Sequence, residues 1–313
     1  MASVTFFGAR GSCPCSGPEV ARYGGGTSAV AVSFDDGAPP LALDLGTGAR
    51  RLGLALVERW LPCATGPLSL AAFVSHLHLD HVQGLPFFPP ALREDVELTI
   101  HGPGSEATLR RTFQALASPP YFPIPMAALP AQLRFRSLGD GAVVELGGVT
   151  VRARSLVHRG PSLGYRLEAG GLSIAYVSDH QAPATGSRVR FTVTEAARDL
   201  CAGVDLLIHD GQYTEEEFAA KADWGHSTVS YATYLAGEVG AKALALFHHD
   251  PAHDDATLDR LGEEAERRAD GRFTVVMARE DLTLEVATSC SSAPTADARI
   301  AADLRTGALL RPS

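Results

Sequence analysis

The stretch from Ser75 to Gly84 concentrates more reactive side chains than any other part of the chain. His76, His78, Asp80 and His81 place three of the protein's 11 histidines and one carboxylate within six positions. Imidazole nitrogen and carboxylate oxygen are the atoms that hold zinc and similar divalent ions at about 2 Å. Four such donors exceed what one closed tetrahedral site can use from a single turn, because neighbouring side chains there point in different directions. Two ions are the natural occupancy, and a two-ion site needs further ligands, including a group that bridges them. His158, Asp179 and His248 are available, each directly after a segment that reads as a strand.

Those strands are the elements that must position the chemistry. Leu70 to Val74 is an apolar run, so the histidine cluster sits at the C-terminal end of a buried strand. Asp179 follows Leu172 to Val177, and His248 follows Ala243 to Phe247. Open sheets place their sites at such strand ends. Further strands are expected at Val4 to Phe7, Ser28 to Val32, Leu41 to Leu43 and Glu97 to Ile100. Helices are expected at Ala49 to Trp60 and Ser105 to Leu116. Between Leu133 and Val177, short strands separated by Gly-Asp and Gly-Gly turns read as an antiparallel meander. Helices and strands then alternate to Met277. The expected fold class is α/β, an αββα sandwich of two mixed sheets flanked by helices. Residues 1–286 form one domain in this reading, and residues 287–313 a loosely packed tail with a short helix at Ala298 to Leu304.

Composition bounds the partners. The formal charge of −9, from 27 basic and 36 acidic residues, argues against a broad polyanion-binding surface. A metal centre could still attract a small anion. No apolar run is long enough to span a membrane and the N-terminus does not read as a signal peptide, so a cytoplasmic location is expected. Cys13, Cys15, Cys63, Cys201 and Cys290 show no paired spacing, which argues against both a disulfide framework and a thiolate zinc site.

The HxHxDH run followed by a lone His, a lone Asp and a final His resembles the metallo-β-lactamase superfamily, over residues 1 to about 285. That resemblance implies one metal on His76, His78, His158 and Asp179. It implies a second on Asp80, His81, His248 and the same Asp179 as bridge. His249 is an alternative to His248, although the strand's phase favours the latter. Asp44, in Asp-Leu-Gly-Thr-Gly, resembles the superfamily's early structural aspartate. Its other reading is a turn residue. A carboxylate bridge points toward phosphodiester or other ester cleavage rather than β-lactam hydrolysis.

His209-Asp210-Gly211-Gln212-Tyr213 and Gly225-His226-Ser227-Thr228 resemble the HEAT and HST segments of the tRNA 3′-processing ribonuclease tRNase Z. The stretch from His158 to Arg166 resembles that group's third motif. The resemblance implies that His226 contacts the scissile phosphate and that Asp210 orients it, with Asp in place of Glu shortening the reach. A capping role for His226 at the helix that follows is the other reading. The expected reaction is in-line attack by a metal-bridging hydroxide, with Asp80 relaying a proton and His226 protonating the departing oxygen.

The basic protruding arm of tRNase Z is not found between Asp179 and Asp210, where the only cationic side chains are Arg188, Arg190 and Arg198. Val82 to Phe88 and Pro120 to Pro123 instead resemble a bacterial group of metallo-β-lactamase-fold proteins related to tRNase Z and to small cyclic-phosphate phosphodiesterases. Phe88, Tyr121 and Phe122 are expected to wall a pocket and stack on a base. The leading expectation is a metal-dependent phosphodiesterase acting on a small diester, a cyclic nucleotide. A tRNase Z-like ribonuclease with a nucleic-acid partner is the alternative, and a non-catalytic metal-binding protein a third. Zinc suits the nitrogen and oxygen donors, and manganese, iron and cobalt are compatible with them. The resemblance also implies a homodimer.

Overall fold

A computed structural model describes residues 1–34, 37–64, 66–181 and 191–287, together with the backbone of a two-residue strand at 301–302. Two sheets pack face to face. The first contains β1 (Ala2–Gly8), β2 (Ala29–Phe34), β3 (Leu41–Leu43), β4 (Leu68–Phe73), β5 (Val96–Pro103) and β6 (Gln132–Leu138) in sequential order. The second contains β7 (Val143–Leu146), β8 (Val149–Leu156), β9 (Ser162–Ala169), β10 (Leu172–Val177), β11 (Leu206–Asp210), β12 (Ala243–Phe247) and β13 (Thr274–Met277). β14 (Thr283–Val286) returns to pair antiparallel with β1, and β15 (Ala301–Ala302) pairs with β14.

Helices cover both outer faces. α1 (Ala49–Arg59), α2 (Leu79–Val82) and α3 (Glu106–Leu116) lie on the first sheet's side. α4 (Glu195–Cys201), α5 (Glu215–Lys221), α6 (Val229–Val239) and α7 (Asp255–Ala269) follow in the second half of the chain. The burial of β10 shows why its sequence is apolar throughout rather than alternating. Leu172, Ile174 and Tyr176 enter the core between the sheets, while Ala175 and Val177 enter the core beneath α4, α6 and α7. A strand covered on both faces has no solvent side to make polar.

β10, β11 and β12 run parallel, so their C-terminal ends share one edge of the second sheet. β4 ends against the same edge from the first sheet. The Tyr165 hydroxyl donates to the Val74 carbonyl at 2.6 Å and the Leu163 amide to the Ser75 carbonyl at 2.8 Å, tying the two sheets together at the root of the histidine loop.

Three expectations are corrected. β6 leaves the meander and pairs parallel with β5, so the antiparallel run is β7 to β10. β14 is a strand that the sequence pattern did not single out. At 301–302 the chain forms a short strand where a helix was expected; the remainder of 288–313 lies outside the described residues. Cys13, Cys15, Cys63 and Cys201 are unpaired thiols, and Cys290 lies outside the described residues.

Candidate metal centre

The backbone explains how one loop serves two positions. His76 and His78 lie two apart in extended chain, where side chains share a face. His78 is then the extended N-cap of α2, and the helical turn swings Asp80 and His81 to a separate position. His158 Nε2 comes to 3.2 Å from His78 Nδ1. His76 and His158 each present Nε2 at 3.7 Å from Asp179 Oδ2. On the other side, His81 Nε2 and His248 Nε2 lie 3.2 Å apart and each is 3.2 Å from Asp80 Oδ2. Those two imidazoles face the other oxygen of Asp179, Oδ1, at 3.1 and 3.3 Å.

Ligand atoms at 2.0–2.1 Å from a tetrahedral ion stand about 3.3–3.4 Å apart, so the observed separations are close to the edges of such a tetrahedron. His76 Nε2 is buried without a hydrogen-bond partner, which is costly for a polar atom unless something else engages it. These donors fit a pair of divalent ions, with one carboxylate facing both positions.

Groups behind the ligands fix their orientation. Asp44 accepts from His81 Nδ1–H at 2.7 Å, from the Ser75 amide at 2.7 Å and from the Tyr176 hydroxyl at 2.7 Å. The Ser75 hydroxyl donates to it as well. His248 Nδ1 meets Gln212 Oε1 at 2.9 Å, and the Ser12 amide donates to Asp80 Oδ2 at 2.7 Å. His158 Nδ1–H donates to the Gly225 carbonyl at 2.7 Å. Such outer contacts set which imidazole nitrogen is free for a metal. Asp44 and His248 both adopt left-handed backbone, with φ of 59° and 60°. Gly11 and Gly225 are required by close approach: a Cβ would lie 2.3 Å from His248 Nδ1 at the first and 2.5 Å from His158 Nδ1 at the second.

The electrostatics suit cation binding. Burial drives the pKa of His76, His78 and His158 down, keeping each neutral with a lone pair to offer. Burial alone would do the same to His81, but Asp80, Asp179 and Asp44 together raise its pKa. Burial likewise opposes ionisation of Asp80 and Asp179. The surrounding histidines overcome that opposition and hold both carboxyls well below the usual range.

His226 lies beside this cluster. Its ring stacks on His248 with centroids 5.0 Å apart, and Nδ1 is 3.1 Å from Asp210 Oδ2 and 3.5 Å from Asp179 Oδ2. Burial opposes protonation of His226, yet Asp210, then Asp179 and Asp80, raise its pKa. Asp210 is short by one methylene against the expected glutamate but reaches His226 directly. Its carboxylate is fixed by the amides of Gln212, His180 and Ser227.

His249 turns away from the cluster and engages the Ala278 carbonyl at 2.8 Å through Nε2, leaving His248 to face Asp80. The aromatic expectation needs correction at Phe88. That ring is 1% exposed and packed among Leu52, Leu56 and Leu85, so it has no free face for a base. Phe87 is the exposed neighbour, at 60%, and stands edge-on to Phe122, with ring centroids 5.7 Å apart. Phe122 is only partly buried against the same core, and Tyr121 is 79% exposed. Arg198 lies on α4, while Arg188 and Arg190 fall outside the described residues. Sequence reasoning gave no role to Ser12, Tyr176 or Gln212. Gln212 lies inside the 209–213 segment quoted above, and Ser12 in the glycine-punctuated loop from Gly8 to Thr27.

Among the described residues, no helix is long and apolar enough to cross a membrane. The profile of the family described as "Beta-lactamase superfamily domain" matches residues 50–249. A ribonuclease Z from Methanosarcina acetivorans is 28% identical over 306 residues, covering 82% of this chain and 90% of that one. The fold is shared with human short-form tRNase Z, at a TM-score of 0.63 and 20% identity, covering 91% of this chain and all of that one. It is shared also with a diphosphatase of the PhnP family, at a TM-score of 0.60 and 18% identity, covering 90% and 96%. The protein is a metal-dependent hydrolase of phosphodiesters. The chain belongs to the metallo-β-lactamase superfamily, in its tRNase Z-like branch.

Proposed function

We propose that this protein hydrolyses a small phosphodiester, a cyclic nucleotide, using His226 as the proton donor to the departing oxygen. The observation that carries the reading is the Asp210–His226 pair set 3.5 Å from the shared carboxylate Asp179. His76, His78 and His158 would hold one divalent ion and Asp80, His81 and His248 the other, with Asp179 joining them. Bound there, the ions would supply an activated water and neutralise charge on the phosphoryl oxygens. Zinc suits this donor set.

His226 gives its Nδ1–H to Asp210, which leaves Nε2 to carry the mobile proton. The Asp210 carboxylate at Nδ1 favours the protonated imidazole, the form a general acid needs. Asp80, whose Oδ2 accepts from the Ser12 amide and lies 3.2 Å from the Nε2 atoms of His81 and His248, would hold an ion and relay the proton of the attacking water. The bond formed is from water oxygen to phosphorus. The bond broken is from phosphorus to the leaving oxygen, giving a phosphomonoester and a hydroxyl.

The acidic charge balance supports a small substrate over a polyanion. Pre-tRNA is the second reading, favoured by the similarity to the archaeal ribonuclease Z. Metal-loaded protein assayed in parallel on 3′,5′- and 2′,3′-cyclic nucleotides and on pre-tRNA separates the two. Cyclic nucleotides should be hydrolysed, and His226→Ala should lower kcat by about 10²–10⁴-fold while retaining metal. Cleavage of pre-tRNA alone would replace the small-substrate reading. Unchanged kcat in His226→Ala would remove the proposed acid.

A further inference from the structure

A cavity of about 200 Å³ opens directly beside His76 and His78. Pro103 and Thr108, at the end of β5 and the first turn of α3, form one wall, and Arg159 and Pro161 form the other. Its lining does not include His226, Asp80 or His248, although His226 approaches the same oxygen of Asp179 as His76 and His158 do. The cavity is therefore placed for a part of the substrate other than the leaving oxygen that His226 would protonate.

Its size and chemistry restrict the occupant. Sites for drug-sized ligands run to roughly 300–1,000 Å³, so this cavity suits about one ring system. Leu77, Pro103 and Pro161 make it largely apolar, and a guanidinium stands at its rim. Arg159 donates from Nη2 to Asp223 Oδ2 at 2.6 Å and from Nε to the Asp223 carbonyl, which fixes the plane of its fork. Both partners of that ion pair are more than half exposed, so the pair contributes little stability of its own. A planar cation held at the edge of a proline-walled slot is a stacking surface for an aromatic ring. The same 223–226 segment supplies the Gly225 carbonyl to His158 and carries His226, so the stacking surface and the acid are referenced to one loop.

We propose that this slot is the base subsite: it takes one nucleobase, stacked on Arg159 between Pro103 and Pro161, so that the substrate is a diester of a single nucleoside. The proposal rests on the phosphodiesterase reading above and gives that site a substrate class. Thr108, at the wall, is the position where a larger side chain would fill the slot without altering a ligand.

Two readouts test it. The first is binding, followed by calorimetry on metal-loaded protein with adenosine 5′-monophosphate and with ribose 5-phosphate, which lacks the base. The nucleotide should bind about tenfold tighter, the scale of one base stack, and Thr108→Trp and Arg159→Ala should each abolish that preference. The second is selectivity, the ratio of kcat/KM for a cyclic nucleotide to kcat/KM for methyl p-nitrophenyl phosphate. It should fall about tenfold in both variants. Equal binding of the two phosphates by the wild type, or an unchanged ratio in both variants, would overturn the base subsite. Absence of diester hydrolysis in the wild type, with the binding preference intact, would instead overturn the phosphodiesterase reading and leave the subsite standing.

Discussion

Asp80, His81 and His248 are all buried, and each is gripped from behind, by the Ser12 amide, Asp44 and Gln212 respectively. Across Asp179 the construction is looser: His78 is exposed, and His158 is partly exposed and leans on a backbone carbonyl. His76 has only the Ser75 hydroxyl at Nδ1, 3.1 Å away. The small cavity opens on this second side. The contrast separates two tasks. The enclosed half fixes geometry with charge-assisted hydrogen bonds in a low-dielectric setting, and the open half gives the substrate access.

Removing the most connected outer group should break the contrast most visibly. Asp44→Ala takes away the acceptor of His81 Nδ1–H and of three further donors, from Ser75 and Tyr176. The expected outcome is about a 10–100-fold loss of affinity for the ion in the Asp80 half, with a smaller change in the His76 half. Metal titration followed by two-site analysis checks this. An equal loss at both positions would mean that Asp44 supports the loop as a whole and not His81 in particular.

A smaller effect should appear as a proton. In the metal-free protein, Asp80, Asp179 and Asp44 raise the pKa of His81 above its usual value, so at neutral pH it carries a proton that an incoming ion must displace. His76, His78 and His158 are shifted down and are already neutral there. Loading the enclosed half should release about one more proton than loading the open half, and its affinity should rise more steeply with pH up to the His81 pKa. Calorimetry in buffers of different ionisation enthalpy measures the difference. Equal proton release from both halves would contradict the electrostatic asymmetry.

Much of this centre was legible because its ligands carry unmistakable chemistry at strand ends. His76, His78, Asp80 and His81 follow an apolar strand directly, and the parallel run of β10 to β12 brings Asp179, Asp210 and His248 to one edge. The phase of β12 turns His248 toward Asp80 and His249 toward the Ala278 carbonyl. What was illegible depended on long-range contact or on irregular backbone. Leu85 to Leu92 forms two short 3-10 turns, whose facing no simple period predicts, so Phe88 is buried and its neighbour Phe87 is exposed. β6 reads as a strand from its own residues, but its pairing with β5 is a tertiary choice. Tyr176 acts through a single polar atom on a residue that looks ordinary in sequence.

Asp179 is where the two halves meet, and the metal content of purified wild type and Asp179→Ala, measured by mass spectrometry, tests the two-ion account most directly. The account predicts about two divalent ions per chain in the wild type and one or fewer in the variant, with diester hydrolysis lost alongside. One ion per chain in the wild type, or two retained by an active Asp179→Ala, would contradict it.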